Sequence, residues 1–150
     1  MGWRDLFNAR RSIGKGIMRF IGIKLISNPS DVIRMEIEGL GVVDLYNEAH
    51  LIEYAWSFVE AVFRVSFQIC KSETVVDLIF TGITTVETIH DPGPLDSPRN
   101  IEFVRFVFGE EFLFSELDAE RQRNVEFATN LVDYRFSADS VQAAIRQSVA

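Results

Sequence analysis

The stretch EAHLIEYAWSFVEAVFRVSFQIC, residues 48–70, decides the fold. Its first half fits two templates. Leu51, Tyr54, Ala55, Phe58 and Val62 recur at the spacing of an amphipathic helix. Its second half fits one: Phe63, Val65, Phe67 and Ile69 alternate with Arg64, Ser66 and Gln68, as on a strand with one apolar face. If 48–58 is helical the chain is α+β. If it is instead the partner of that strand, the two form a hairpin turning near 59–61. The aromatic and β-branched content favours the hairpin, although that turn has neither Gly nor Asn.

Outward from this stretch the period of two recurs. In VIRMEIEG, Ile33, Met35 and Ile37 oppose Arg34, Glu36 and Glu38, and GVVDLY (41–46) follows after the break at Gly39 and Gly41. TVVDLIF is a further strand. After Gly82, ITTVETI sets Ile83, Val86 and Ile89 three apart, a slip that a bulge or bend at Gly82 would explain. IEFVRFVFG reads as a strand with Arg105 toward water, and VEFAT with VDYRFSA as a hairpin around Asn130. NPSD (28–31) is a turn, and HDPGPLDSPRN (90–100), with three of the four prolines, is a loop. DSVQAAIRQSVA has the pattern of a helix capped by Asp139 or Ser140, with Val141, Ala144 and Ile145 on one face. WRDLFNARRSIGKGIMRFI (3–21) fits an amphipathic helix as far as Ser12, because Gly14 and Gly16 weaken it beyond. From there a strand with Ile21, Ile23 and Leu25 inward is expected. The sum is a mainly β chain of seven to nine strands, an antiparallel sheet or sandwich with short N- and C-terminal helices. An α+β arrangement is the alternative.

With 150 residues, 47% of them hydrophobic and 13 of them Phe, the chain suits one domain, 1–150, with a core of its own. Its net charge of −7 is uneven. Residues 1–24 carry six basic side chains against one acid, and the remaining 126 carry nine against 21. The first 24 residues are thus a basic amphipathic segment packed on the domain or extending from it. The acidic body disfavours nucleic acid and favours a basic protein partner. A single cysteine, Cys70, excludes an intramolecular disulfide and a cysteine-based zinc site. Arg4, Arg10, Arg11, Lys15 and Arg19 interrupt any signal-peptide core, and no apolar run approaches the roughly 20 residues that span a bilayer. A reducing cytoplasm is the expected location.

Chemical motifs are sparse. His90 beside Asp91 could serve a hydrolase-like enzyme as a general base, but a solvated loop histidine is the simpler reading. His50 lies near Glu48 and Glu53, yet no HxH or HExxH spacing supports a metal site. Cys70 reads as a small buried hydrophobe. EGLGVVD holds GxG without a third glycine or a lysine and is a turn. No cofactor and no catalysis are expected. The run GEEFLFSELDAE carries more weight. Glu110, Glu111, Glu116, Asp118 and Glu120 surround Phe112, Phe114 and Leu117, which is the composition of a docking surface where acids steer and aromatics bury. The competing reading is an edge strand and turn with a solvated acidic face.

VVDLIFTGITTVETI (75–89) and NIEFVRFVF (100–108), with FRVSFQI before and DYRFSADSV after, resemble the rhythm of small β-rich bacterial immunity proteins of polymorphic-toxin loci. There an apolar strand, a glycine with a β-branched residue, a second strand, a loop and an Asn-led strand succeed one another. The resemblance implies an acidic, cytosolic, non-catalytic inhibitor that binds a toxin. Residues and resemblance together lead to a non-enzymatic protein-binding domain facing a basic partner. The alternative is a structural subunit of a phage or secretion assembly that docks through residues 1–21. Membrane contact by that segment is less favoured.

Overall fold

The computed structural model describes residues 18–26, 28–90, 101–109 and 123–148, of which 89 and 90 by backbone alone. Among them the chain is mainly β. The 48–70 stretch is a hairpin, β5 (Ala49–Ser57) and β6 (Val62–Ile69), turning at 58–61. These two form one end of a five-stranded sheet that continues through β7 (Thr74–Thr81), β12 (Ser140–Gln147) and β1 (Arg19–Ile21). Only β1 runs parallel to its neighbour. A four-stranded antiparallel sheet orders β8 (Thr84–His90), β11 (Asp133–Ser137), β10 (Asn124–Thr129) and β9 (Phe103–Phe108). A small third sheet joins β2 (Ile23–Leu25), β3 (Arg34–Ile37) and β4 (Gly41–Asp44).

The two larger sheets face each other across an aromatic core. Of the six phenylalanines that are essentially inaccessible, Phe63, Phe67 and Phe80 come from the five-stranded sheet and Phe106, Phe127 and Phe136 from the other. The rings meet edge to face: Phe63 lies 5.3 Å from Phe136 and 5.5 Å from Phe127, and Phe80 lies 5.2 Å from Phe136. That geometry suits the ring quadrupoles and adds to area burial. The third sheet contributes Met35, Ile37 and Val43 to the same core. It is tied to β9 by Val32, whose N–H donates to Phe106 O at 2.8 Å and whose carbonyl accepts from Phe106 N at 2.9 Å. The Phe108 N–H donates to Pro29 O beside it, so the free edge of β9 is capped.

Several sequence expectations are corrected. Residues 140–147 form a strand, not a helix. Their Ala and Gln content favours a helix locally, but eight consecutive residues pair with β7, from Ser140 opposite Thr81 to Gln147 opposite Thr74. Val141 is thereby buried, while Ile145 stays 40% exposed. The expected continuous strand through Ile21, Ile23 and Leu25 is broken at Gly22, whose φ of 75° sends β1 and β2 into different sheets, and Ile21 faces outward. The slip in ITTVETI has two sources. Gly82, at φ 68°, carries the chain between the large sheets, where any Cβ would collide with Asp139. Within β8 the register against β11 then jumps at Thr85 and again at Ile89, leaving both as bulged residues. Of the expected 90–100 loop, His90 instead ends β8, paired with Asp133; residues 91–100, like the expected N-terminal helix, lie outside the described residues.

If Phe63 is the ring on which both sheets close, Phe63→Ala should cost about 3–5 kcal/mol of stability. Val59→Ala, at a position 99% exposed, should change it by less than about 0.5 kcal/mol. Urea unfolding of the two variants checks this, and similar midpoints would contradict it.

Candidate functional site

The apex of the β5–β6 hairpin is the candidate site. A two-sheet core places Tyr54 and Trp56 of β5 inward, because the side chains of a strand alternate. Trp56 stacks on Phe63 with ring centroids 3.7 Å apart and meets Tyr134 and Phe136 edge-on, each at 5.4 Å. Phe58 continues the stack, parallel to Trp56 within 2° at 5.9 Å. Three rings in register thus lead from the core to the turn. Beyond them Phe58 is 71% and Val59 99% exposed, next to the exposed Glu60. Turns ordinarily carry Gly, Asn or Asp. Here Ala61 takes the left-handed position at φ 57°, held by a 3.0 Å hydrogen bond from Ile83 N–H to its carbonyl.

Beside the apex lies an open groove of about 350 Å³, lined mainly by Trp56, Phe58, Ala61, Val62, Ile83 and Val86. It marks where the end of β5 meets the start of β8. Thr85, the bulged residue of β8, borders it with φ 56°. A β-branched residue in that region is strained, and two of the three non-glycine residues with positive φ among the described residues, Ala61 and Thr85, flank this groove. Strained backbone gathers at binding sites, where the surroundings over-determine it.

Two other clusters are structural. On the outer face of the five-stranded sheet, Asp77 accepts from Ser66 Oγ at 2.6 Å and from Arg146 Nε at 2.8 Å. Arg64 donates to Ser66 Oγ at 2.9 Å and to Glu53 at 3.3 Å, and Arg146 approaches the same Glu53 carboxylate at 3.9 Å. The hydrogen bond to Asp77 raises the Arg146 guanidinium above its ordinary value. These charges satisfy one another and tie four strands together. Near the opposite end of the hairpin, His50 Nε2 lies 3.4 Å from Cys70 Sγ. Cys70 is half-buried in the turn after β6, which corrects the expectation of a buried thiol. Its N–H donates to Glu48 O at 2.9 Å, and this contact draws the turn toward β5. Among the described residues no group of three or more His, Cys, Asp and Glu side chains could hold a metal ion. No helix among them is long and apolar enough to cross a membrane.

The residues expected to dock a partner, Glu110, Glu111, Phe112, Phe114, Glu116, Asp118 and Glu120, lie outside the described residues, as do Asp91 and the side chain of His90. The sequence reading passed over Trp56, Phe58 and Val59. The signal was present: a hairpin turn with Phe and Val where polar residues are usual. Comparison with protein-family models, curated proteins and solved structures finds no match.

Behind the groove, burial holds the Tyr54 phenol well above its ordinary value, aided by its 3.3 Å hydrogen bond with Tyr134. Further along the same hairpin as Tyr134, burial also raises Glu126, which the nearby Arg135 guanidinium only partly offsets. The folded state therefore holds this proton more tightly than the unfolded chain. The stability so gained is complete below the ordinary glutamate value of about 4.5 and is lost as pH rises through the folded value. Glu126→Gln should accordingly be more stable than the parent near neutral pH and equal to it below about pH 4. Urea midpoints at the two pH values check this. A variant less stable at neutral pH would contradict it.

Proposed function

We propose that this chain is a non-enzymatic protein-binding domain that captures a basic protein through the apex of the β5–β6 hairpin, as an inhibitor of immunity type. One observation carries the reading: Phe58, 71% exposed at the end of a stack of rings anchored in the core, and its neighbour Val59, 99% exposed, stand in water. Exposing them costs roughly 1.5–3 kcal/mol per side chain relative to burial, and folding offers no return. Contact with a partner recovers it. A rigid aromatic over a groove is the usual composition of an interface hot spot, because little side-chain entropy is lost on binding. The acidic body, with 21 acids against nine basic residues beyond position 24, would steer a basic protein onto that apex.

The reading makes the apex separable from the fold. Phe58→Ser with Val59→Ser should leave the unfolding midpoint unchanged. It should weaken the complex with the basic protein retained from native-host extract by at least about tenfold, one or two hot-spot contacts' worth. Titration calorimetry with the purified partner measures this. A partner bound equally well by the double variant, or one with an acidic surface, would refute the proposal.

A further inference from the structure

The large sheets have edges, and the structure treats them differently. In the four-stranded sheet, β9 is capped by Val32 and Pro29, and β8 is interrupted by bulges at Thr85 and Ile89. In the five-stranded sheet, one edge is the three-residue β1. The other is β5, nine residues long, which among the described residues pairs with β6 alone. A single bulge at Ile52 divides it. From Glu53 to Ser57 the register against β6 is then unbroken, and this segment contains no Pro and no Lys, two of the usual means of blunting an edge. It ends at Trp56, Ser57 and the apolar groove beside the apex.

We infer that residues 53–57 recognise the basic partner by strand addition: an extended segment of that protein pairs with the open edge of β5. The inference rests on the protein-binding reading and specifies its mode. The register dictates the partner's chemistry. Glu53, Ala55 and Ser57 lie on the outer face with Arg64, opposite Ser66, Arg64 and Val62, while Tyr54 and Trp56 lie inward. A strand added to β5 directs alternate side chains the same way. Those on the inner side enter the groove between Trp56 and Val86 and are apolar. Those on the outer side face water on an acidic protein and are basic. A second copy of this chain is disfavoured as the occupant. It brings another net charge of −7, so two such edges repel each other on approach.

The probe is the acetylated, amidated heptapeptide of alternating Lys and Val, with its Glu–Val counterpart and two N-methylated forms, one methylated at every Val and one at every Lys. In a strand the N–H groups of alternate residues point to opposite edges, so only one set faces β5. Binding is read from Trp56 fluorescence in a Trp3→Phe background. The inference predicts that the Lys–Val peptide binds at least tenfold more tightly than the Glu–Val peptide. One methylated form should lose at least tenfold and the other should match the parent. No binding by the parent, or equal behaviour of the two methylated forms, overturns it. So does a dimer of the protein, seen by light scattering, that the peptide dissociates. If the peptides fail while the natural complex still depends on Phe58 and Val59, strand addition is wrong and the binding surface stands.

Discussion

The contact on which the structure turns is the stack of Trp56 on Phe63. Phe63 sits on a central strand and meets rings of both large sheets. Trp56 sits on the edge strand and closes the side of the sandwich over Tyr134 and Phe136. Because the two side chains are directly opposite in the β5–β6 ladder, the register of the hairpin and the closure of the core are one constraint. A one-residue slip of β5 would turn Trp56 to the outer face, where Ser66 donates to Asp77. Ser66 and Asp77 are buried there, so the slip would be costly on both faces.

From this constraint follows the character of the hairpin apex. The stack ties the end of the hairpin to the core. Phe58 extends the stack into water and does not fold back to cover it. An apolar apex, an edge of β5 that is open among the described residues and an acidic exterior are complementary features. In the proposed mode, charge would govern approach, the edge would set orientation, and the aromatic apex would supply burial. None of them requires a reacting group. The His50–Cys70 contact joins β5 to the turn after β6.

Much of this was legible in the sequence, for a physical reason. A strand buried on one face writes its pattern in steps of two, so Met35 and Ile37, or Phe63, Val65 and Phe67, could be assigned from spacing alone. The turn signals at 28–31 and around Asn130 have local chemistry, such as the Asn28 side chain accepting from Ser30 N–H at 3.0 Å. What was not legible depends on distant pairing. Residues 140–147 have helical local preferences and become a strand because β7, some sixty residues earlier, supplies their partners. The imidazole beside Cys70 comes from the other strand of the hairpin, twenty residues away. The apex is not evident from sequence because Phe58 fits the apolar spacing of the stretch before the turn, and only the fold places it past the end of β5 beside the exposed Val59.

The central claim is that β5 is an edge strand with an open side, fixed by the Trp56–Phe63 stack. Amide hydrogen exchange of residues 53–57 tests it most directly. An open edge gives alternation: amides bonded to β6 are protected to near the global unfolding free energy, and those between them exchange fast, while amides of β6 and β7 are protected throughout. Uniform protection along residues 53–57, or a pattern with a period near four, would contradict it.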